Sequence, residues 1–266
     1  MDFGLSKKVV VITGADGGIG KAIVRAFLAE DAQVAAIGHQ RKRIDETARE
    51  MSENGGRIEP FVADLTEARS VTHLTQAVLE RFGTVHVLVN AAGGVGKFAG
   101  FDKLNDEDWH KDIELNLMIA VRATRAFLPA MRKQKWGRII SIASESGVQP
   151  DADIPNYNAA KAALIAFGKS ISKAYAMDGV LVNSVSPAFI RTPLVERMLQ
   201  ERADAEGTSF DEALEAFLKN ERPHIELHRP GSPDEVAAAV VFLASEQASF
   251  ILGSNLRVDG GSIATT

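Results

Sequence analysis

The chain has 266 residues, 45% of them hydrophobic, with a formal net charge of −5 and no cysteine. That is enough apolar material for one full-sized core, and the lack of thiols excludes disulfides, thiolate nucleophiles and cysteine-based metal sites. The acidic balance argues against a nucleic-acid surface, since the basic runs Arg41-Lys42-Arg43 and Arg132-Lys133 are short, and no apolar stretch approaches a membrane span or a signal peptide, so a cytoplasmic protein with neither nucleic-acid nor membrane partners is expected.

Val9 to Ile12 is a β-branched run ending in Thr13-Gly14, which reads as a buried strand. Ile19 to Glu30 then has helical apolar spacing, with Ile19, Ile23, Ala26 and Phe27 on one face. Strands are expected at 34–37, 58–62, 85–89, 138–142, 181–185 and 255–258. Helices are expected at 41–53, 67–82, 106–131 (stopping near Pro129), 156–177 and 236–245. Strands alternate with helices, and the strands are continuous apolar runs. Both features indicate an α/β, doubly wound Rossmann fold, with a central parallel sheet of about seven strands and helices on both faces. Residues 1–266 read as one domain. The rhythm breaks after Pro193, where two amphipathic segments between Leu194 and Asn220 suggest a helical substrate lid at about 193–222.

The turn Thr13-Gly14-Ala15-Asp16-Gly17-Gly18-Ile19-Gly20 joins the first strand to the first helix. Glycines let the backbone approach a pyrophosphate, and the helix N-terminus offers free N–H groups and partial positive charge. Gly14, Asp16, Gly18, Ile19 and Gly20 are therefore candidate cofactor residues. A carboxylate that would read a free ribose 2′-hydroxyl is expected at the end of the second strand. That region is Gly38-His39-Gln40-Arg41, with no acid before Asp45. His39, Arg41 and Arg43 could instead meet a 2′-phosphate, whereas Asp16 would repel one. The balance leans to NADP(H) over NAD(H).

Tyr157 and Lys161 lie four apart at the start of a long helix, so phenol and ammonium share one face. A lysine cation lowers a phenol's pKa, and such a pair becomes a usable acid/base for a substrate hydroxyl. Ser144 follows the strand ending at Ile142, Asn116 sits in Leu115-Asn116-Leu117, and Asn90-Ala91-Ala92-Gly93 follows the fourth strand.

Taken together from Lys8 to Gly261, these motifs resemble the short-chain dehydrogenase/reductase family in its single-domain branch, and within it the 3-oxoacyl-ACP reductase-like members. The resemblance implies an oxidoreductase that moves a hydride between NAD(P)(H) and an alcohol/ketone pair. By the same resemblance Tyr157 is the general acid/base, and Lys161 lowers its pKa and holds the nicotinamide ribose. Ser144 binds the substrate oxygen, and Asn116 holds a water that relays protons to Lys161. Asp64 and Leu65 meet the adenine, while Asn90, Ala91 and Gly93 line the adenosine side. Pro187, Ile190 and Thr192 contact the nicotinamide amide and phosphates. The family commonly has Pro-Gly where this chain has Pro187-Ala188, and a doubled asparagine where it has Asn90-Ala91. The family also commonly forms tetramers, so a homotetramer or homodimer is expected. The alternative is a catalytically silent NAD(P)-binding sensor or scaffold. Intact Ser144, Tyr157, Lys161 and Asn116 argue against it.

His224-Ile225-Glu226-Leu227-His228 lacks the order and the third ligand of a metal site, so no metal is expected. Leu194, Met198, Leu199, Phe210, Leu214, Phe217 and Leu218 suit either a greasy substrate pocket or packing within the lid. Candidate substrates include β-ketoacyl thioesters, steroid-like or other hydrophobic alcohols, and sugars; Glu145 and Ser146, unusual neighbours for Ser144, and the loop Gly94 to Phe98 should help to decide among them.

Overall fold

A computed structural model describes residues 2–53 and 55–265 of the chain. Seven parallel strands form one sheet: β1 (Val9–Thr13), β2 (Gln33–Gly38), β3 (Arg57–Val62), β4 (Val87–Asn90), β5 (Gly137–Ile142), β6 (Val180–Pro187) and β7 (Asn255–Val258). Their order is β3-β2-β1-β4-β5-β6-β7. The direction of winding reverses at β1, which has β2 on one side and β4 on the other. In open sheets of this kind ligands bind outside the carboxyl ends of the strands at that reversal.

The apolar strands are explained by two cores, one on each face. Val10 and Ile12 of β1 pack with Ile23 and Phe27 of α1 (Gly18–Ala29) and with Val236, Val240 and Leu243 of α9 (Pro233–Ala244). Val9 and Val11 face the other way, onto Val71, Leu74 and Val78 of α3 (Ala68–Phe82) and Phe127 and Met131 of α5 (Ile119–Lys133). A strand sandwiched between two helical layers needs apolar residues at every position, not at alternate ones.

The remaining helices are α2 (Arg41–Glu53), α4 (Asp106–Ile113), α6 (Pro155–Tyr175), α7 (Pro193–Glu206) and α8 (Phe210–Glu221). The segment from Asp106 is helical throughout, with one wide π-turn, Glu114–Met118, joining α4 to α5. One expectation needs correction: α5 does not stop at Pro129 but runs on to Lys133 with the proline inside. Pro129 removes one backbone donor, but the buried residues around it, Phe127, Leu128 and Met131, hold the helix on the sheet. The strand expected at 85–89 is shifted to Val87–Asn90, in register with Thr13 of β1 and Ser141 of β5. Among the described residues no helix is long and apolar enough to cross a membrane.

Candidate active site

The carboxyl ends of β1 and β4 are tied together by one hydroxyl. Thr13 Oγ1 accepts from the N–H groups of Ala91 and Ala92, both at 3.1 Å. Gly14 follows at φ 64°, and a Cβ there would come within 2.8 Å of the Ala92 backbone, so the close approach admits only glycine. The chain then enters α1 through Gly17, which supplies no side-chain cap, and the first turn holds no acid. The first N–H groups of α1 are thus left for an anion. Ile19 packs on the core, and Thr192 at the start of α7 lies against Gly18, whose Cβ would meet it at 2.8 Å. Gly14, Gly18, Gly20, Ala91 and Thr192 therefore converge at the reversal point. This cradle fits a dinucleotide pyrophosphate.

The residues expected to read the ribose sit at the rim. Asp16 is buried, and Arg43 closes on it, with Nε 3.2 Å from Oδ2 and an N–H bond of 3.0 Å to the Asp16 carbonyl. The repulsion expected of Asp16 is therefore offset by a cation from α2. Arg41 is exposed and pairs with Asp45 at 3.5 Å, and His39 is exposed beside it. Asp64 Oδ1 accepts from the Thr66 hydroxyl at 2.7 Å and the Thr66 N–H at 2.9 Å. These bonds hold its carboxyl below the usual range, helped by His39 and Arg122. Leu65 is buried, and its carbonyl accepts from Arg122 at 3.4 Å. Asn90 turns inward and donates to Thr124 Oγ1 at 3.3 Å and Ser141 Oγ at 3.4 Å. Pro187 ends β6 in a buried position, and Ile190 joins the core. Ala188 is not among the residues with positive φ, so the alanine is accommodated without strain.

The four expected catalytic residues come together beyond the ends of β4 and β5. Ser144 follows β5 and opens a short turn, Glu145–Gly147, in which its Oγ accepts from the Ser146 N–H at 3.2 Å. Its hydroxyl also acts on the Tyr157 phenol, whose pKa it lowers in part. Pro155 starts α6, which places Tyr157 in the first turn and Lys161 one turn deeper. Lys161 Nζ donates to the Ile142 carbonyl at 2.9 Å and lies 5.6 Å from the centre of the tyrosine ring. Asn116 sits in the π-turn. Its Nδ2 donates to the carbonyls of Gly94 (2.9 Å) and Asp112 (3.1 Å), and its Oδ1 accepts from the Gly94 N–H at 3.0 Å. Gly93, at φ 150°, lies so close that a Cβ would come within 2.8 Å of Asn116 Oδ1.

Burial pushes the Tyr157 phenol up to about 12, the Ser144 hydroxyl offsets this only in part, and the nearby Asp112 and Glu145 add to the rise. Burial also pushes Lys161 down to about 8. Of two buried acids, Asp112 was missed from the sequence, and Glu145 stood out there only as a neighbour of Ser144. Asp112, fully buried on α4, is pushed up by desolvation, and so is Glu145. The only signals for them were the spacing of Asp112 one turn before Asn116 and the adjacency of Glu145 to Ser144. His224 and His228 flank a buried Ile225, and among the described residues no cluster of three or more His, Asp or Glu could hold a metal ion.

Comparison with known proteins agrees with this geometry. The short chain dehydrogenase family matches residues 8–203. The chain is 36% identical over 263 residues, 99% of each chain, to the uncharacterized oxidoreductase YvrD of Bacillus subtilis. It is 33% identical over 259 residues, 97% of this chain and 99% of the other, to a 3-oxoacyl-[acyl-carrier-protein] reductase of Thermotoga maritima. The crystal structure of L-sorbose reductase from Gluconobacter frateurii, complexed with NADPH and L-sorbose, is similar over 100% of both chains, with a TM-score of 0.95 and 36% identity. The chain belongs to the short chain dehydrogenase family and is an oxidoreductase of that family.

Proposed function

We propose that the protein is an NADP(H)-dependent carbonyl reductase or alcohol dehydrogenase in which Tyr157 is the general acid/base. The observation that carries this reading is the buried Lys161 ammonium 5.6 Å from the centre of the Tyr157 ring, with Ser144 acting on the phenol. A bound NADP(H) supplies or accepts the hydride. Its phosphates would be held by the uncapped start of α1 with Gly14, Gly18 and Gly20, and by Thr192. Arg43, Arg41 and His39 would face the 2′-phosphate.

The chain's own groups do the rest. Ser144 donates to the substrate oxygen and stabilises the charge that develops on it. Tyr157, protonated through the neutral range, delivers a proton to that oxygen during reduction and takes it back during oxidation. Lys161 keeps a positive charge below the ring, and Asn116 fixes the loop at Gly94 and the floor of the site. The hairpin of α7 and α8 buries Leu199, Ala203, Ala213 and Phe217, and Phe217 lies against Phe189 with ring centres 4.7 Å apart. This supports a preformed cover over the substrate.

The reading is tested by titrating the protein with NADPH and NADH side by side, then following cofactor oxidation with a set of ketones. Tighter binding of NADPH and turnover of at least one ketone are expected. Binding of neither cofactor would refute the reading, and binding without turnover of any carbonyl or alcohol would point to a silent nucleotide binder.

A further inference from the structure

Glu145 is a carboxylate placed one residue after the hydroxyl that binds the substrate oxygen. It is buried, with 6% of its surface exposed. The turn that carries it cannot swing away. Gly147, at its end, is pressed on α6 so closely that a Cβ would lie 2.9 Å from the Lys161 carbonyl carbon. Buried carboxylates ordinarily meet several donors, having room for about four. Glu145 has one: the Ser262 hydroxyl donates to Oε2. Ser262 is itself held, since its carbonyl accepts from Gln149 Nε2 at 3.2 Å and its N–H donates to the Asp259 carbonyl at 3.1 Å. Arg222, the cation that acts on it most, is committed to Asp151 at 3.2 Å. Oε1 of Glu145 has no hydrogen-bond partner among the described residues and is open to solvent.

The groups around Glu145 are polar: Ser262 bonds it, and Arg222, His224 and Asp151 act on it electrostatically. The α7–α8 hairpin buries Leu199, Ala203, Ala213 and Phe217 and leaves Leu194 and Met198 exposed. Glu145 and Asp112 both act electrostatically on Tyr157.

On the reading that Ser144 and Tyr157 hold the reacting oxygen, we propose that Glu145 accepts a hydrogen bond from a hydroxyl of the substrate next to the reacting carbonyl, and that the substrates are neutral polyhydroxylated ketones and their alcohols, of the ketose and polyol class. A hydroxyl donor supplies what Oε1 lacks. A hydrocarbon substrate would strip water from that oxygen and leave it unpaired, and an anionic one would set a charge beside the Glu145 carboxyl.

The test is steady-state kinetics with NADPH on a panel of ketohexose stereoisomers, 2-hexanone and acetoacetate, using the wild-type enzyme, Glu145→Ala and Glu145→Gln. The wild type is expected to favour at least one ketohexose over both other ketones. Glu145→Ala should lower kcat/KM for that sugar about 100-fold, mostly through KM, and change 2-hexanone by no more than a few-fold. Glu145→Gln keeps an accepting oxygen and the side chain's shape, so it should fall between the two, and it carries the test alone if the alanine variant does not fold. The proposal is overturned if 2-hexanone or acetoacetate is the best substrate, or if the variants lower all substrates alike. Failure of the wild type to reduce any member of the panel or of a wider ketone screen, with NADPH bound, overturns instead the underlying reading of Ser144 and Tyr157.

Discussion

Lys161 lies under the Tyr157 ring, 5.6 Å from its centre, and directs its Nζ to the Ile142 carbonyl and not to the phenol oxygen. The pair is thus a stack of a buried cation below a half-buried phenol. Tyr157, pushed up to about 12, remains an acid through the neutral range, while Lys161, at about 8, is the member that titrates under assay conditions. Lysine is charged below its pKa. The rate of carbonyl reduction should therefore be level at pH 6 to 7 and fall as pH rises through about 8, where the charge under the ring is lost. A pH–rate profile of kcat for reduction reads this directly. A rate that climbs above pH 8 would contradict it.

The same burial predicts a gain in stability at the expense of function. A lysine whose pKa falls from 10.5 to about 8 on folding destabilises the folded state wherever both states are protonated, which is below about pH 8. The cost fades as pH rises toward 10.5. At 1.36 kcal/mol per pKa unit it is about 3 kcal/mol, part of which the bond to Ile142 returns. Lys161→Met should raise Tm by about 5 °C at pH 7 and by much less at pH 10, while abolishing turnover. Thermal unfolding at the two pH values checks this. A lower Tm at pH 7 would show that the hydrogen bond outweighs the desolvation.

Arg43 is expected to matter more for NADPH than its exposure suggests. It neutralises the buried Asp16, and without it that carboxylate would face the cofactor's phosphates alone. Arg43→Ala should raise the Kd for NADPH about 10- to 100-fold and the Kd for NADH only a few-fold, read by fluorescence titration. Equal losses for both cofactors would mean that Arg43 supports the loop and does not read the 2′-phosphate.

Gly93 should not tolerate a methyl group. Its φ of 150° is unfavourable for other residues, and the added carbon would strike Asn116 Oδ1. Gly93→Ala is expected to cost about 1 to 3 kcal/mol in denaturant unfolding. Because Asn116 must move, kcat should fall more than the loss of stability alone explains. Unchanged kcat in a folded Gly93→Ala protein would detach Asn116 from the site.

Much of this was legible in the linear sequence. The strands stood out because helices cover both faces, so that Val9 and Val11 enter one core while Val10 and Ile12 enter the other. Tyr157 and Lys161 were legible because four residues make one helical turn. Other features depend on what lies across the chain. Helix α5 passes through Pro129 because Phe127 and Met131 anchor it, which local propensity does not report. The π-turn leaves the Asp112 carbonyl to the Asn116 side chain, an exchange that is invisible in a pattern of apolar residues. The pairing of Asp16 with Arg43 requires the β1 and β2 loops to meet. The high pKa of Tyr157 follows from burial, which spacing cannot supply.

The account's central claim is that Tyr157 transfers the proton. The most direct measurement is NADPH affinity and ketone turnover of Tyr157→Phe, which removes one oxygen and keeps the ring over Lys161. The account predicts a Kd for NADPH within a few-fold of the wild type and a loss of kcat of about a thousandfold. A Tyr157→Phe protein that retains near-normal turnover would contradict it.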